Sequence, residues 1–425
     1  MPLTDVLEKL YARRRFGIRP GVDRVAKLLA RLGNPEKNFR TIHVVGTNGK
    51  GSSSAFLSSI LLHAGHTVAQ YSSPHLIRFT ERFRINGKEY SAETLADKLN
   101  IVLEAAPEDA TFFEITTALA AYIFSEERVE FAVMEAGMGG RSDATAAFNG
   151  EMTLITPIEL DHTEYLGATI EEIAAEKAGI IKPGTLVISA EQHASVHAAI
   201  ENRCRAEHCT LRIHGKDFSA GWNTDKTLNF SGLGTELDKL IPGIAGRYQS
   251  RNAAVALAAA EALKSFGVNI PIPSFREGLA AAYWPGRMEL IPGNPPLLLD
   301  GAHNPSGAAA LAEALQDYSY TRLLMVTGVC DDKDIANIYT PLEKLVDRVY
   351  TVTPGVERAL KDLDLSLFFH KRGITSQPCG SVTAGIVAAR SDAAEGDLIL
   401  VCGSLFVVGE AKAWLANINY SGIRG

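Results

Sequence analysis

Residues 41–52, Thr-Ile-His-Val-Val-Gly-Thr-Asn-Gly-Lys-Gly-Ser, constrain the chain more than any other stretch, because an apolar run suited to a buried strand feeds a glycine-rich turn and then a helix. That is how a chain cradles phosphate. Gly46, Gly49 and Gly51 let the backbone bend tightly and aim its N–H groups inward, Lys50 supplies a cation, and the following helix presents its positive end. The segment departs from the strict phosphate-loop pattern: Val44 stands where that pattern has its first glycine, and Gly51 where it has a hydroxyl after the lysine. The rival reading is a glycine-rich turn in an ordinary α/β domain.

The surrounding pattern is strand, helix, strand. Residues 53–64 read as the helix after the turn, ended by Gly65, and 67–71 as the next short apolar strand, which implies a parallel sheet. Upstream, Val6, Leu7 and Leu10 keep helical spacing, and 22–32 form a second amphipathic helix stopped by Gly33, Asn34 and Pro35. Arg13, Arg14 and Arg15 between them read as a solvated face. Residues 72–90 look like a basic loop with an Asn86-Gly87 turn, 91–105 and 116–125 look helical, and 129–134 is a strand. A strand at 152–157, a helix at 169–178 with Gly179 as its stop, and a strand at 185–189 follow. Residues 222–240 suggest a small antiparallel piece, and 252–266 an alanine-rich helix.

At 425 residues the chain exceeds what one core usually supports, so two domains are expected. The density of breakers at 284–296 fits a linker, after which strands at 297–299, 323–327 and 398–402 restart the pattern. The expected division is 1–288 for the domain with the phosphate-cradling loop, 289–296 for the linker and 297–425 for a smaller domain.

The net charge of -7 excludes a general nucleic-acid surface. The absence of a long apolar run or of a charged-then-apolar start points to a soluble, cytoplasmic protein. Cys204, Cys209, Cys330, Cys379 and Cys402 are scattered and odd in number, so free thiols are expected and a metal cluster is not.

In open α/β sheets ligands gather at the carboxyl ends of the strands. Ser73, Glu135, Asp161 and His162 all fall there, beside the expected phosphates. Taken singly, Ser73 and Asp161 read as turn residues, whereas Glu135 has small neighbours in Ala136, Gly137, Gly139 and Gly140 that leave its carboxylate open to a ligand. Lys177, near the end of a helix, reads as a complement to the helix dipole.

Six stretches together bring a family to mind. Gly-Thr-Asn-Gly-Lys-Gly-Ser at 46–52, Tyr-Ser-Ser-Pro-His-Leu at 71–76, Glu-Ala-Gly-Met-Gly-Gly-Arg-Ser-Asp-Ala at 135–144, Leu-Asp-His-Thr-Glu-Tyr-Leu-Gly at 160–167, Glu-Lys-Ala-Gly-Ile at 176–180 and Asp-Gly-Ala-His-Asn-Pro at 300–305 resemble, in this order, the dihydrofolate synthase and folylpolyglutamate synthase family of the Mur ligase superfamily. The resemblance implies an α/β fold with a phosphate-loop, Mur-ligase-like N-terminal domain built on a parallel sheet and a smaller Rossmann-like C-terminal domain. It implies an ATP- and magnesium-dependent ligase that joins L-glutamate to dihydropteroate, to folates, or to both, through an acyl phosphate, and that acts as a monomer.

By the same resemblance Thr47, Asn48, Gly49, Lys50, Gly51 and Ser52 hold the nucleotide phosphates, and Ser73, Glu135 and His162 ligate magnesium. Lys177 matches a lysine that is carboxylated in the family, so that Lys50, Lys177 and His162 carry the catalysis. Asn252, Arg287, Asp300 and His303 match nucleotide contacts drawn from both sides of the linker, a hinge salt bridge being the rival for Arg287. Phe113, Glu114, Ser142, Asp143 and Ala144 match the pterin site, with core packing the rival for Phe113, and Ser404 matches a glutamate contact. Ser142 and Ala146-Ala147 depart from the family, where many relatives carry a leucine and Thr-Asn. A polyglutamating enzyme without the dihydrofolate step is the near alternative; a peptidoglycan-type Mur ligase and a non-catalytic nucleotide module are the distant ones.

Overall fold

The computed structural model describes residues 2–13, 17 and 19–420, so Arg14 and Arg15 of the basic patch lie outside the described residues. The remaining member, Arg13, turns back onto the chain, donating to the carbonyl of Pro107 at 3.0 Å.

The strand before the glycine turn is β1 (Arg40–Val45), and all but its first residue are buried. Beside it in one sheet run β2 (Val68–Tyr71), β3 (Phe83–Ile85), β4 (Lys88–Glu89), β5 (Phe131–Glu135), β6 (Gly150–Ile155), β7 (Leu186–Ser189) and β8 (Thr210–Ile213), in the order β4-β3-β2-β5-β1-β6-β7-β8. Every neighbouring pair from β2 to β8 is parallel, as helix crossovers require, and helices cover both faces. The phosphate-loop strand therefore sits inside the sheet, between β5 and β6. Their carboxyl ends deliver Glu135 and the 156–162 segment to the same edge.

One expectation needs correction here. Residues 72–90 are not all loop, because β3 and β4 form a hairpin that extends the sheet. Asn86 and Gly87 both take positive φ, 50° and 77°, which matches the strand twist that a two-residue hairpin needs, and Phe83 is buried against the core. Gly179 does end the helix Ile170–Ala178, but in right-handed geometry; a side chain there would meet Arg141 at 2.4 Å, so close packing explains the glycine. The helix expected at 116–125 spans Phe112–Glu126, opened by a capping box between Thr111 and Glu114.

The weak signal at 222–240 corresponds to a three-stranded antiparallel sheet of β9 (Ser219–Trp222), β10 (Leu228–Ser231) and β11 (Glu236–Leu240). Behind the phosphate loop, the helices Lys50–His63 and Gln249–Leu263 share one apolar cluster, the alanines of the second allowing close approach.

The second domain has a sheet of its own: β12 (Glu289–Ile291), β13 (Leu297–Leu299), β14 (Leu323–Thr327), β15 (Arg348–Thr351), β16 (Ser376–Pro378) and β17 (Leu398–Cys402), in the order β12-β13-β17-β14-β15-β16. It is parallel except at β12, which lies within the expected linker 289–296. That segment is thus an edge strand, and its proline- and glycine-rich part is the turn that brings it antiparallel to β13. Among the described residues no helix is long and apolar enough to cross a membrane, and all five cysteines are free thiols.

His43, in the middle of β1, is fully buried, with Nε2 3.0 Å from the Thr145 carbonyl and Nδ1 without a partner. Burial, partly opposed by the Thr145 carbonyl, pushes its pKa down to about 4. Between that value and the ordinary one of 6.5, the unfolded chain binds a proton that the folded chain does not. Stability therefore falls as pH drops through this window, by about 2–3 kcal/mol near pH 4.5. Urea unfolding of the protein and of His43→Gln at pH 7 and 4.5 measures this; the variant is expected to lose less, and equal losses would assign the acid sensitivity to other groups.

Candidate active site

The helix Lys50–His63 begins at Gly49, which takes a left-handed φ of 90° and lies so close to Asn252 that a Cβ would fall 2.3 Å from its Oδ1. Only glycine satisfies both demands. The loop and the strand ends opposite it enclose a cavity of about 250 Å³. Loop residues 47–52 line it, as do Ser73, Glu135, His162 and Lys177 from the first domain. So do Asn252, and, from the far side, Arg287, Asp300 and His303.

Lys50 donates to the carbonyls of Gly46 and Thr47, at 3.3 and 3.1 Å, within its own loop. Lys177 donates to the same Gly46 carbonyl at 2.9 Å and is buried. A buried lysine bonded to the phosphate loop does more than complement the helix dipole. Burial first, and the charge of Lys50 second, bring its pKa down to about 7, so near neutral pH much of it is a free amine.

Glu135, fully enclosed, receives a hydrogen bond from the backbone N–H of Ser73. Burial raises its pKa to about 7 despite Lys50 and Arg287, an environment suited to a cation that would restore the carboxylate. His162 takes a left-handed φ of 52°, uncommon outside glycine, and burial lowers its pKa to about 4, which keeps the imidazole neutral with a lone pair to offer.

Arg287 makes no ion pair among the described residues; it donates to the Gly286 carbonyl at 3.2 Å, which argues against the hinge salt bridge. Asp300 braces the crossover between the domains, accepting from the Tyr248 hydroxyl at 3.0 Å, the Met288 N–H at 2.9 Å and the Ala302 N–H at 2.9 Å. His303 Nδ1 lies 2.8 Å from the Gly301 carbonyl, so it carries the proton and Nε2 is left as an acceptor.

The remaining expected residues sit behind the cavity wall. The Phe113 ring backs Gly137, where a Cβ would be 2.4 Å from it, and packs against Tyr71 at 6.0 Å. Glu114 accepts from the Thr111 N–H at 2.8 Å and pairs with Arg24 at 2.9 Å. Asp143 accepts from Met138 N, Thr145 N and Thr145 Oγ1 at 3.0, 2.9 and 2.6 Å, and so stiffens the turn that carries Ala144. The Ser142 N–H donates to Glu176 at 2.9 Å. Ser404 caps the helix Leu405–Leu415 through the Phe406 N–H at 3.1 Å.

Asp161, which read as a turn residue, is the polar centre of the cleft. Lys333 reaches it from the second domain at 3.1 Å, Asn304 at 3.3 Å, and His303 stands 3.9 Å away. Burial works to raise its pKa, yet His162, Lys333 and His303 together hold it below the usual carboxylate range. Asn48 and Asn304 exchange amide hydrogen bonds of 3.2 and 3.1 Å across the same cleft. Lys333 was not singled out in the sequence, although it lies beyond the carboxyl end of β14, where the strand-end rule applies as it does to Glu135.

Among the described residues no three His, Cys, Asp or Glu side chains form a metal cage. Glu135 and Ser73 offer oxygen donors of the kind a hard cation takes, with phosphate and water able to supply the rest, whereas the His162 imidazole is an unusual ligand for such a cation.

Residues 44–260 match the Mur ligase middle domain, and residues 286–405 the Mur ligase glutamate ligase domain. A Bacillus subtilis protein named dihydrofolate synthase/folylpolyglutamate synthase is 34% identical over 433 residues, covering 96% of this chain and 98% of that protein. The structure superposes on Escherichia coli FolC in complex with DHPP and ADP with a TM-score of 0.91, at 32% identity and covering 98% of both chains. It superposes on a bifunctional folylpolyglutamate synthase/dihydrofolate synthase with Mn, AMPPNP and L-glutamate bound with a TM-score of 0.88, at 30% identity and 98% coverage of both. The order of the motifs, the parallel sheets and these matches agree: the chain belongs to the dihydrofolate synthase/folylpolyglutamate synthase family of Mur ligases.

Proposed function

We propose that this chain is an ATP-dependent ligase that adds L-glutamate to dihydropteroate, giving dihydrofolate, and to folates, giving polyglutamates. The observation that carries the reading is the cavity in which a glycine-rich loop, two basic side chains from opposite sides of the cleft, Lys50 and Arg287, and a carboxylate with a raised pKa converge, in a chain of this family. The acceptor's carboxylate oxygen takes the γ-phosphoryl group of ATP, releasing ADP. The glutamate amine then forms a C–N bond to the acyl carbon, the C–O bond to phosphate breaks, and the amine gives up a proton. Two anions must meet for the first step, so Lys50 and the loop N–H groups bind the phosphates while Arg287 closes over them from the other side.

Ser73, Glu135 and His162 would hold magnesium, which would neutralise charge at the phosphates. Lys177, as a neutral amine, adds to carbon dioxide with loss of a proton, and the resulting carbamate turns a buried cation into an anion beside Gly46. Asn252, Asp300 and His303 contact the nucleotide. Phe113, Glu114, Ser142, Asp143 and Ala144 form the wall for the pterin, with Glu114 and Asp143 fixed by the bonds described, and Ser404 contacts glutamate. The division at 1–288 and 297–425, with β12 serving the second domain's sheet, follows the crossover that Asp300 braces. The net charge of -7 speaks against a nucleic-acid partner, and the family resemblance suggests a monomer; the protein is read as cytoplasmic.

Purified protein with ATP, magnesium and labelled glutamate, offered dihydropteroate, tetrahydrofolate or a uridine-linked muramyl peptide, tests the reading. Incorporation into a pterin acceptor is expected; incorporation into neither would overturn it.

A further inference from the structure

A second space opens beyond the phosphate cavity. A throat of about 50 Å³ shares Gly51, Ser73, Glu135, Arg287 and Leu405 with that cavity. On its other side it shares Leu76, Glu81, Arg84 and Pro285 with an open groove of about 390 Å³. The three form one track from the phosphoryl-transfer point to the outside, and Arg84 stands where throat and groove join.

Arg84 projects from β3, half-buried, with its guanidinium carbon 5.6 Å from the centre of the Trp284 ring. Trp284 in turn presses on the phosphate loop: a Cβ on Gly51 would come within 2.5 Å of its indole nitrogen. The Nε of Arg84 is buried without a hydrogen-bond partner, and among the described residues Arg84 has no ion pair. The neighbouring charges are committed elsewhere. Arg78 pairs with Glu89 at 2.7 Å and Lys412 with Glu289 at 2.5 Å. Glu81, the acid facing the groove, accepts the N–H groups of Leu76, Ile77 and Arg78 at 2.7, 3.2 and 2.9 Å.

The two acceptors differ in one respect that such a cation would sense. Dihydropteroate has a single carboxylate, the one that reacts. A folate also carries a spectator α-carboxylate on every glutamyl residue, and this second anion must lie close to the phosphates while the γ-carboxylate reacts. A planar guanidinium stacked on an indole is suited to hold it with two parallel hydrogen bonds.

We propose that the throat takes the α-carboxylate of the folate acceptor's terminal glutamyl residue and that Arg84 reads it, which makes Arg84 a residue that favours tail extension over the first glutamylation. The inference rests on the ligase reading given above. Glutamate incorporation is measured for the full-length enzyme, R84Q and R84K with dihydropteroate and with tetrahydrofolate as acceptor. In R84Q the ratio of kcat/KM for tetrahydrofolate to that for dihydropteroate is expected to fall about tenfold or more, chiefly through the KM for tetrahydrofolate, with partial recovery in R84K. An unchanged ratio, whether both activities fall together or neither falls, assigns Arg84 to packing on Trp284 and overturns the proposal. Unaltered enzyme that glutamylates dihydropteroate but no folate also overturns it, and leaves the ligase reading standing; unaltered enzyme that glutamylates neither overturns the ligase reading itself.

Discussion

Lys177→Met is expected to reduce kcat for glutamate ligation by about 10²–10³-fold, the scale of losing one preorganised charged group at a phosphoryl-transfer site. The same substitution is expected to stabilise the protein. In the folded chain the ammonium is opposed by burial and by Lys50, so its pKa is about 7 against an ordinary 10.5. Between these values the unfolded chain binds the extra proton, so stability rises with pH through the window and is depressed below it. Methionine keeps most of the apolar stem and removes the charge, and a higher Tm at pH 7 is the expected result. A carbamate at this position adds a second signature. Activity of the unaltered enzyme should drop in buffer freed of carbon dioxide and return with bicarbonate, while the variant responds to neither. Full activity in Lys177→Met would remove the carbamate from the mechanism and leave Lys177 as a structural donor to the Gly46 carbonyl.

Lys333→Met is expected to lower kcat/KM for ATP by about 10–100-fold with little change in the fold of either domain. The ion pair with Asp161 is largely enclosed, with side-chain exposures of 14% and 10%. Removing one partner of such a pair leaves the other charge inadequately matched, at a cost on the order of 2–3 kcal/mol. Because the pair spans the cleft, that cost falls on the closed arrangement of the two domains and on the placement of His162 next to Asp161. A double-mutant cycle with Asp161→Asn separates this from a general loss of charge. Coupling of about 1 kcal/mol or more in kcat/KM is expected; additive losses would mean that the two residues act independently and that the cleft is held by the Asn48–Asn304 amide pair instead.

Both predictions concern groups whose environment the sequence did not reveal. Lys177 sits in a helical last turn, where a lysine is ordinarily solvated, and only packing against the phosphate loop makes it a buried amine. The pairing of Asp161 with Lys333 joins positions 172 residues apart, a distance over which no local pattern speaks. Glu114 shows the intermediate case. The Thr-x-x-Glu spacing of a capping box was present at 111–114 and explains half of its bonding, whereas the other half, Arg24, comes from a helix ninety residues earlier.

The sequence by itself determined the local chemistry: a buried strand, a glycine turn, a lysine and a helix at 40–63, acids and an imidazole at strand ends, and six motifs whose order identifies the family. These are legible because backbone sterics and side-chain period act over a few residues. The tertiary structure alone decided which strand ends face one another, which charges lose their water, and that residues 289–291 complete a sheet rather than link two. Desolvation and ion pairing depend on what packs from distant parts of the chain, and it is these that bring the pKa values of Lys177 and Glu135 to about 7, leave Arg84 unpaired at the throat, and make Asp161 the point where the two domains meet.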